Sequence, residues 1–363
     1  MLPTPAASVL VRRLGLDLAA VVSASHNPWR DNGIKFFGRD GAKVPDESER
    51  RIEAAATEPD PAPGAGVGAT RTLRGALDDY LRELTSAFRD DLSGLSVILD
   101  CANGSTFQAA PRVFERLGAR VETIAADPDG RNINEGCGST HPEALAKRVT
   151  ERGADLGFAY DGDGDRVIAV DAGGEVRDGD ELLSLVATRM AERGELGGGI
   201  AVTVMSNYGF HNAMADAGIE VATTPVGDRH VSFELARRGW ALGGEQSGHV
   251  IWTGFTPTGD GIVASLLVAR ALAGRPLASA IPMTKLPQRL VNVEITDREA
   301  VEGCTALWAE VERENAALEG RGRVLVRASG TEPLLRVMVE APEQPECDAV
   351  CERLVAVVRS ELA

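Results

Sequence analysis

A short acidic segment, Asp161-Gly162-Asp163-Gly164-Asp165-Arg166, separates two apolar runs of strand length, residues 156–160 and 167–170. Short apolar runs on either side of a turn-forming segment are typical of buried strands. The glycines let the backbone turn sharply, because no Cβ opposes a left-handed conformation. Three carboxylates this close together repel one another unless positive charge lies between them. The segment therefore predicts two adjacent strands whose connecting loop is a cation site.

The expected cation is Mg²⁺, which binds hard oxygen ligands and keeps other coordination positions for water or a phosphate oxygen. A calcium-binding EF-hand loop needs glycine at its sixth position and glutamate at its twelfth. Arg166 and Ala172 occupy those positions here, so the EF-hand is excluded. A solvated acidic turn remains the alternative from this segment alone.

Length and charge narrow the class of protein. A chain of 363 residues exceeds the usual size of one domain, so roughly two to four domains are expected. The net charge of −16 argues against nucleic acid or an anionic membrane as a partner. No apolar run approaches membrane-spanning length, no secretory signal pattern is visible, and the five cysteines lack CxxC spacing. We therefore expect a cytoplasmic protein with reduced thiols.

A second polar loop lies near the N-terminus. Residues 18–23 predict a strand, and the turn-forming sequence after it, Ser25-His26-Asn27-Pro28, would expose a hydroxyl at a loop tip. Lys35 follows on the next predicted strand. The loop is a candidate nucleophile site, and a plain turn beside a buried histidine is the alternative.

Strand and helix patterns alternate along most of the chain. Residues 95–100, 106–117 and 119–124 predict strand, helix and strand, and later segments repeat this order. One continuous helix is expected over 298–318, and a Pro/Gly/Ala-rich segment at 57–72 is the best candidate boundary. The alternation predicts layered α/β domains.

Two further loops carry polar groups suited to ligands. Residues 244–249, Gly-Glu-Gln-Ser-Gly-His, suit recognition of hydroxyl groups in a pocket. Residues 327–331, Arg-Ala-Ser-Gly-Thr, combine an arginine, two hydroxyls and a glycine, as a phosphate-binding loop does. Taken singly, each loop also fits an ordinary polar turn.

Taken in order, the loops at 25–28, 161–166, 244–249 and 327–331 resemble the α-D-phosphohexomutase superfamily. The segments 132–140 and 226–229, with 329–333, resemble a bacterial branch of it. That branch interconverts glucosamine 6-phosphate and glucosamine 1-phosphate, for UDP-N-acetylglucosamine and cell-wall precursor synthesis. The resemblance implies three related mixed α/β domains, the first incomplete, plus a smaller C-terminal α+β domain around a central cleft. The expected domains are 1–72, 73–171, 172–284 and 285–363.

The resemblance also implies how the loops work. Ser25 would carry a phosphoryl group and, with Asp161, Asp163 and Asp165, bind one Mg²⁺ per chain. The phosphoryl group would pass to a sugar phosphate, giving glucosamine 1,6-bisphosphate, which turns around and returns its other phosphate. The expected catalytic residues are Ser25, Lys35, His249 and Arg166, with Lys35 and His249 as candidates for general acid and base. The expected substrate-binding residues are His26, Arg229, Glu245, Ser247, Arg327, Ser329, Gly330 and Thr331.

Members of the superfamily begin with a segment carrying a Phe-Gly-Thr-x-Gly-x-Arg-Gly motif, whereas this sequence starts at the Leu-Pro-Thr-Pro turn. We expect in-frame coding sequence upstream, and without that segment an unpaired sheet edge. The remaining alternatives are a phosphomannomutase/phosphoglucomutase, a truncated sugar-phosphate binder without catalysis, and a simple phosphatase. A sugar phosphate is the expected partner, and a homodimer is left open.

Overall fold

The computed structural model describes residues 1–57, 68–298, 300–329 and 332–362. The chain divides into two units, which are described separately. Unit 1 consists of Met1–Met205 and Ile219–Pro282, and unit 2 of Ser206–Gly218 and Met283–Ala363. Helices alternate with strands in both units, so the α/β class expected from the sequence is confirmed.

Unit 1 begins with a helix and a β-hairpin. Its elements are α1 (Thr4–Arg13), β1 (Leu18–Ser23), β2 (Gly33–Gly38) and α2 (Asp46–Ala56). β1 and β2 pair antiparallel, with Val21 opposite Lys35. On one face of this hairpin Phe37 is fully buried, whereas Leu18, Val22 and Ile34 on the other are 49%, 70% and 56% exposed. The hairpin holds the Ser25 loop between its two strands.

The second part of unit 1 builds a five-stranded sheet. Its elements are α3 (Ala76–Ala87), β3 (Ser96–Asp100), α4 (Ala109–Arg116), β4 (Arg120–Ile124), α5 (Glu143–Arg152), β5 (Leu156–Tyr160), β6 (Val167–Asp171) and β7 (Val176–Arg177). The strand order is β4-β3-β5-β6-β7, with β3 parallel to β4 and β5 and the rest antiparallel. β5 and β6 are buried along their whole length. Their pairing ends at Tyr160 and Val167, which closes the acidic loop at 161–166.

The third part of unit 1 contains a four-stranded sheet. Its elements are α6 (Gly179–Glu192), β8 (Gly199–Thr203), β9 (Glu220–Thr224), α8 (Asp228–Arg238), β10 (Leu242–Gly244), β11 (Val250–Trp252), α9 (Gly261–Leu272) and α10 (Leu277–Ala280). The order is β11-β10-β8-β9, and only the β10–β11 pair is antiparallel. α9 is apolar apart from Arg270 and the buried Ser265, and so it lies inside the unit, against α6, β6 and β11.

Unit 2 packs helices on a three-stranded antiparallel sheet of order β12-β14-β13. Its elements are α7 (Tyr208–Asp216), β12 (Gln288–Glu294), α11 (Ala300–Gly303), α12 (Thr305–Ala317), β13 (Arg323–Ala328), β14 (Leu334–Glu340) and α13 (Gln344–Glu361). One apolar core joins this sheet to α12 and α13. In the part of the chain that is described, no helix is both long and apolar enough to span a bilayer.

A buried polar network fastens α7 to the sheet of unit 2. Asn207 caps α7, and its Nδ2 donates to Glu340 Oε1 and to the Leu286 carbonyl, both at 3.1 Å. Glu340 is fully buried and also accepts hydrogen bonds from the Tyr208 amide (3.0 Å) and from Arg323 Nε (2.7 Å). These bonds satisfy a carboxylate that would be costly to bury alone.

The helix expected over 298–318 is wrong as a single element. It divides into α11 and α12 at Cys304, whose ψ of 86° is not helical. The Trp308 Nε1 donates to the Val301 carbonyl (2.9 Å), which supplies a partner at the break. An indole hydrogen bond of this kind leaves no periodic signal in the sequence.

Asp260 should make the stability of the fold depend on pH. Its side chain caps α9 through the amides of Ile262 and Val263 and accepts a 2.7 Å hydrogen bond from the Tyr80 hydroxyl. Burial raises the pKa of Asp260 to about 6, more than its three hydrogen-bond donors lower it. Between about pH 4 and pH 6 the folded chain therefore keeps a proton that the unfolded chain has released, so stability falls as pH rises.

In Asp260→Asn the amide can keep the cap but cannot titrate. We expect urea unfolding of the wild type, in metal-free buffer, to lose up to about 3 kcal/mol more than the variant between pH 4 and pH 6.5. Tyr80→Phe is the matched control. Losing the Tyr80 donor should raise the pKa of Asp260 further, so the free energy of unfolding should fall more steeply with pH. If the free energy of unfolding of wild type and Asp260→Asn changed equally with pH, this account would be contradicted.

Candidate active site

The acidic loop brings three buried carboxylates together. Asp161, Asp163 and Asp165 are 0%, 1% and 4% exposed, and each offers an oxygen within 4.8 Å of the other two. The loop backbone is held from three other segments, because its carbonyls accept amide hydrogen bonds. These run from Ser105 to Gly162 (2.8 Å), from Thr4 to Asp163 (2.8 Å) and from Gly261 to Gly164 (3.0 Å). The carboxylates are therefore fixed before any ligand binds.

Ser25 lies directly at this cluster. Its Oγ is 3.3 Å from Asp161 Oδ2 and 3.5 Å from the Nδ1 of His26. Its φ of +54° is left-handed, which is unusual for a residue with a Cβ. The loop approaches so closely that a Cβ on Gly162 would lie 2.5 Å from the Ser25 carbonyl oxygen. The structure thus joins two loops that are 136 residues apart in the sequence.

Lys35 supplies positive charge to the cluster. Its Nζ donates to Asp163 Oδ2 at 2.6 Å and to Asp165 Oδ2 at 2.9 Å. Burial lowers the pKa of Lys35, but the Asp165 and Asp163 carboxylates more than offset this and hold it above the usual value for lysine. Lys35 is therefore protonated at neutral pH.

The carboxylates still hold more negative charge than one lysine neutralises. Burial, followed by the charges of Asp165 and Asp163, raises the pKa of Asp161 well above its usual range. Burial would also raise the pKa of Asp165, but Lys35 holds it below its usual range. Within the described part of the chain, Asp163 Oδ1 and Asp165 Oδ1 are buried and make no hydrogen bond. Hard oxygen atoms left unpaired in this way fit a divalent metal ion such as Mg²⁺.

His249 lies next to the acidic loop and forms an isolated β-bridge with Arg166, the last residue of that loop. His249 is 2% exposed, and its Nε2 is 3.9 Å from Asp165 Oδ2 and 3.5 Å from Asp228 Oδ2. Arg166 Nε is 3.9 Å from Asp165 Oδ1. A Cβ on Gly259 would lie 2.5 Å from the His249 ring, so the ring packs directly on that backbone.

The residues expected to bind the sugar form their own contacts in unit 1. Glu245 Oε1 accepts from the Gly227 amide (3.1 Å), and the Ser247 hydroxyl donates to Glu245 Oε2 (3.4 Å). Arg229 is paired with Asp46 and Glu49 of α2 rather than with the acidic cluster. Glu245 and Ser247 therefore lie together, whereas Arg229 already has carboxylate partners.

The expected phosphate loop lies in unit 2. Arg327 is on β13, and the Ser329 hydroxyl at the end of that strand accepts from the Glu332 amide (3.4 Å). Gly330 and Thr331 lie outside the described residues. The role of this loop stays a prediction.

Three contacts of the site were missed from the sequence. Thr4 donates to Asp163 Oδ2 (2.8 Å), Asn134 donates to the backbone of the Ser25 loop, and Lys43 pairs with Asp228 beside His249. Asn134 belongs to the polar segment 132–140, whose likeness to one branch of the superfamily was a usable signal. Thr4 and Lys43 had no such signal. They lie 159 and 185 positions from their partners Asp163 and Asp228, and a single pair that far apart leaves no pattern in the sequence.

Models of the phosphoglucomutase/phosphomannomutase family match nearly the whole chain. The α/β/α domain I matches residues 1–62, domain II 78–174, domain III 178–288, and the C-terminal domain 290–357. The domain boundaries expected from the sequence stay predictions.

Several bacterial proteins named phosphoglucosamine mutase are similar to this chain. The phosphoglucosamine mutase of Desulforudis audaxviator is 49% identical over 99% of this chain and 81% of its own length. Those of Moorella thermoacetica and Rhodococcus erythropolis are each 48% identical, over 96% and 99% of this chain and 81% and 82% of their own lengths.

Solved structures share the fold at lower identity. A phosphoglucomutase/phosphomannomutase family protein of Burkholderia thailandensis has a TM-score of 0.81 at 24% identity, covering 99% of this chain and 82% of its own. The N-acetylphosphoglucosamine mutase of Aspergillus fumigatus, solved with GlcNAc-6P and magnesium, has a TM-score of 0.63 at 23% identity, covering 78% and 70%. Family models, relatives and site geometry agree, and the chain belongs to the phosphoglucomutase/phosphomannomutase family of the α-D-phosphohexomutase superfamily.

Proposed function

We propose that this chain interconverts glucosamine 6-phosphate and glucosamine 1-phosphate through a phosphoserine at Ser25. The observation that carries the proposal is the Ser25 hydroxyl, 3.3 Å from a carboxylate of a buried acidic cluster. The glucosamine substrate is supported by relatives about 48% identical that are named phosphoglucosamine mutases. The product would feed UDP-N-acetylglucosamine and cell-wall precursor synthesis.

Each half of the reaction moves one phosphoryl group. The 1-hydroxyl of glucosamine 6-phosphate attacks the phosphorus on Ser25, and the bond from phosphorus to Ser25 Oγ breaks. The hydroxyl proton leaves to a base and Ser25 Oγ regains a proton, giving glucosamine 1,6-bisphosphate. After the bisphosphate turns around, Ser25 Oγ loses its proton and attacks the 6-phosphorus. The bond from phosphorus to O6 breaks, O6 gains a proton, and glucosamine 1-phosphate is released while Ser25 is phosphorylated again.

Ser25, Asp161, Asp163 and Asp165 would hold one Mg²⁺, which neutralises charge on the moving phosphoryl group when it is bound. A structural neighbour from Aspergillus fumigatus was solved with magnesium, which supports this choice of ion. The protein's own contribution is a cluster fixed by backbone hydrogen bonds, so little rearrangement is needed during transfer.

Lys35 and His249 are the proposed acid–base pair. Lys35 keeps its proton because two carboxylates hold it, so its first role is to supply positive charge. It would act as an acid only once Asp163 and Asp165 bind Mg²⁺ instead of its ammonium group. His249 is proposed as the base, since neither ring nitrogen makes a hydrogen bond to any residue that is described. Arg166 adds positive charge beside Asp165.

The other predicted residues keep supporting roles in the proposal. Glu245 and Ser247 would bind the sugar hydroxyls, His26 would support the Ser25 loop, and Arg229 would act on substrate only after leaving Asp46 and Glu49. The predicted phosphate ligands are Arg327, Ser329, Gly330 and Thr331. A homodimer and a cytoplasmic location stay predictions, the second consistent with five free thiols.

The first test is phosphorylation of Ser25. Purified protein incubated with glucosamine 1,6-bisphosphate and Mg²⁺ should gain the mass of one phosphoryl group, and Ser25→Ala should gain none. A coupled assay should show glucosamine 1-phosphate from the 6-phosphate, at a higher kcat/KM than for glucose or mannose phosphates.

Each contrary result points to a different alternative. Equal mass gain in Ser25→Ala would overturn the nucleophile, and no gain in the wild type would favour a non-catalytic binder. Faster turnover of mannose or glucose phosphates would change the substrate, and stoichiometric release of inorganic phosphate would indicate a phosphatase.

The second test addresses the metal. Asp163→Asn removes one of the three carboxylates that would bind the metal, so we expect Mg²⁺ affinity, measured by calorimetry, to fall at least about 10-fold and turnover to fall with it. Asp127→Asn, at an exposed carboxylate in unit 1, is the matched control and should bind Mg²⁺ as the wild type does. Unchanged affinity in Asp163→Asn would remove the metal assignment.

A further inference from the structure

The Ser25 loop is held through its backbone by one distant side chain. The Nδ2 of Asn134 donates to the Ser25 carbonyl and to the Asn27 carbonyl, each at 2.8 Å. Asn134 is 8% exposed and lies 109 residues beyond Ser25 in the sequence. Both N–H groups of the Asn134 side chain therefore donate to the loop that carries the proposed nucleophile.

Asn134 belongs to the same rigid frame as the acidic cluster. The backbone N–H of Asn134 donates to the Ala102 carbonyl (2.9 Å), in the loop that follows β3. The neighbouring Ile133 packs against the acidic loop so closely that a Cβ on Gly162 would lie 2.4 Å from its Cδ1. Asn134 thus fixes the Ser25 loop relative to Asp161, rather than to a surface that moves independently.

Asparagine suits this position for two separate reasons. Its φ is +58°, a left-handed conformation that asparagine adopts more readily than most residues. Its NH₂ group can donate two hydrogen bonds, whereas an ionised aspartate only accepts and would face two carbonyl oxygens. Neither reason involves contact with a substrate.

We propose that Asn134 is a positioning residue for phosphoryl transfer, which holds Ser25 in its left-handed conformation with Oγ directed at Asp161. The inference rests on the proposed function of Ser25. Loss of the two hydrogen bonds leaves the acidic cluster intact but frees the Ser25 loop to relax away from it. The effect therefore falls on the rate of transfer and not on substrate affinity.

Two variants distinguish the effect of the Asn134 side-chain donors from the effect of its left-handed backbone. Asn134→Asp keeps the size of the side chain but removes both donors, and Asn134→Gly removes the side chain at a residue type that accepts positive φ. Glu135→Gln, at the exposed neighbouring residue, is the matched control. For each protein we would measure phosphorylation of Ser25 by glucosamine 1,6-bisphosphate in a single turnover, kcat and KM, the thermal midpoint, and amide exchange.

Both Asn134 variants should lose about 10- to 100-fold in the rate of Ser25 phosphorylation and in kcat, with KM within about 3-fold. Amide exchange should rise in residues 24–27 and stay unchanged in the acidic loop. Glu135→Gln should match the wild type in every measurement.

The outcomes distinguish this inference from the function on which it rests. If the wild type is not phosphorylated at Ser25, the proposed function fails. If the wild type is phosphorylated and the two Asn134 variants react equally fast, only the positioning role is overturned. An equal loss in Glu135→Gln, or a loss explained entirely by unfolding at the assay temperature in both Asn134 variants, also overturns it.

Discussion

Three buried carboxylates in one six-residue loop require compensating groups from the surrounding segments of unit 1. Like charges at this spacing are costly to keep away from water, and the cost is reduced by positive charge, by hydrogen-bond donors or by protonation of one carboxylate. The surrounding segments supply both. Lys35 donates to two of the carboxylates, Asp163 and Asp165; Thr4 also donates to the first of these, and Arg166 lies beside the second. Residues from the first, second and third parts of unit 1 thus converge on one loop because that loop needs compensation.

The same loop explains why the Ser25 hydroxyl lies where it does. A left-handed serine costs about 1–3 kcal/mol, so the loop needs other contacts to keep that conformation. Two hydrogen bonds from Asn134 are worth about 0.5–1.5 kcal/mol each, which is of the same size. The missing Cβ of Gly162 provides the space for the approach. Strain at the nucleophile and its compensation on a neighbouring loop therefore balance approximately.

Local patterns predicted much of this architecture. The buried strands around the acidic loop and the α/β class followed from apolar periodicity and glycine placement, and the structure and family confirm the class. Four ordered loops were enough to indicate the superfamily, which the relatives confirm. What could not be predicted leaves no periodic pattern in the sequence. Lys43 pairs with Asp228 across 185 positions, and the break at Cys304 is accompanied by a side-chain hydrogen bond from Trp308 to the Val301 carbonyl.

The placement of α7 has a consequence for dividing the protein. Its flanking strands β8 and β9 belong to unit 1, yet α7 itself is part of unit 2. A fragment excised at Met283 would consequently omit α7 and deprive the fully buried Glu340 of its partners Asn207 and Tyr208. Part of the buried polar network of unit 2 thus comes from earlier in the chain, and a cut at the apparent domain junction would leave Glu340 with Arg323 but without these two donors.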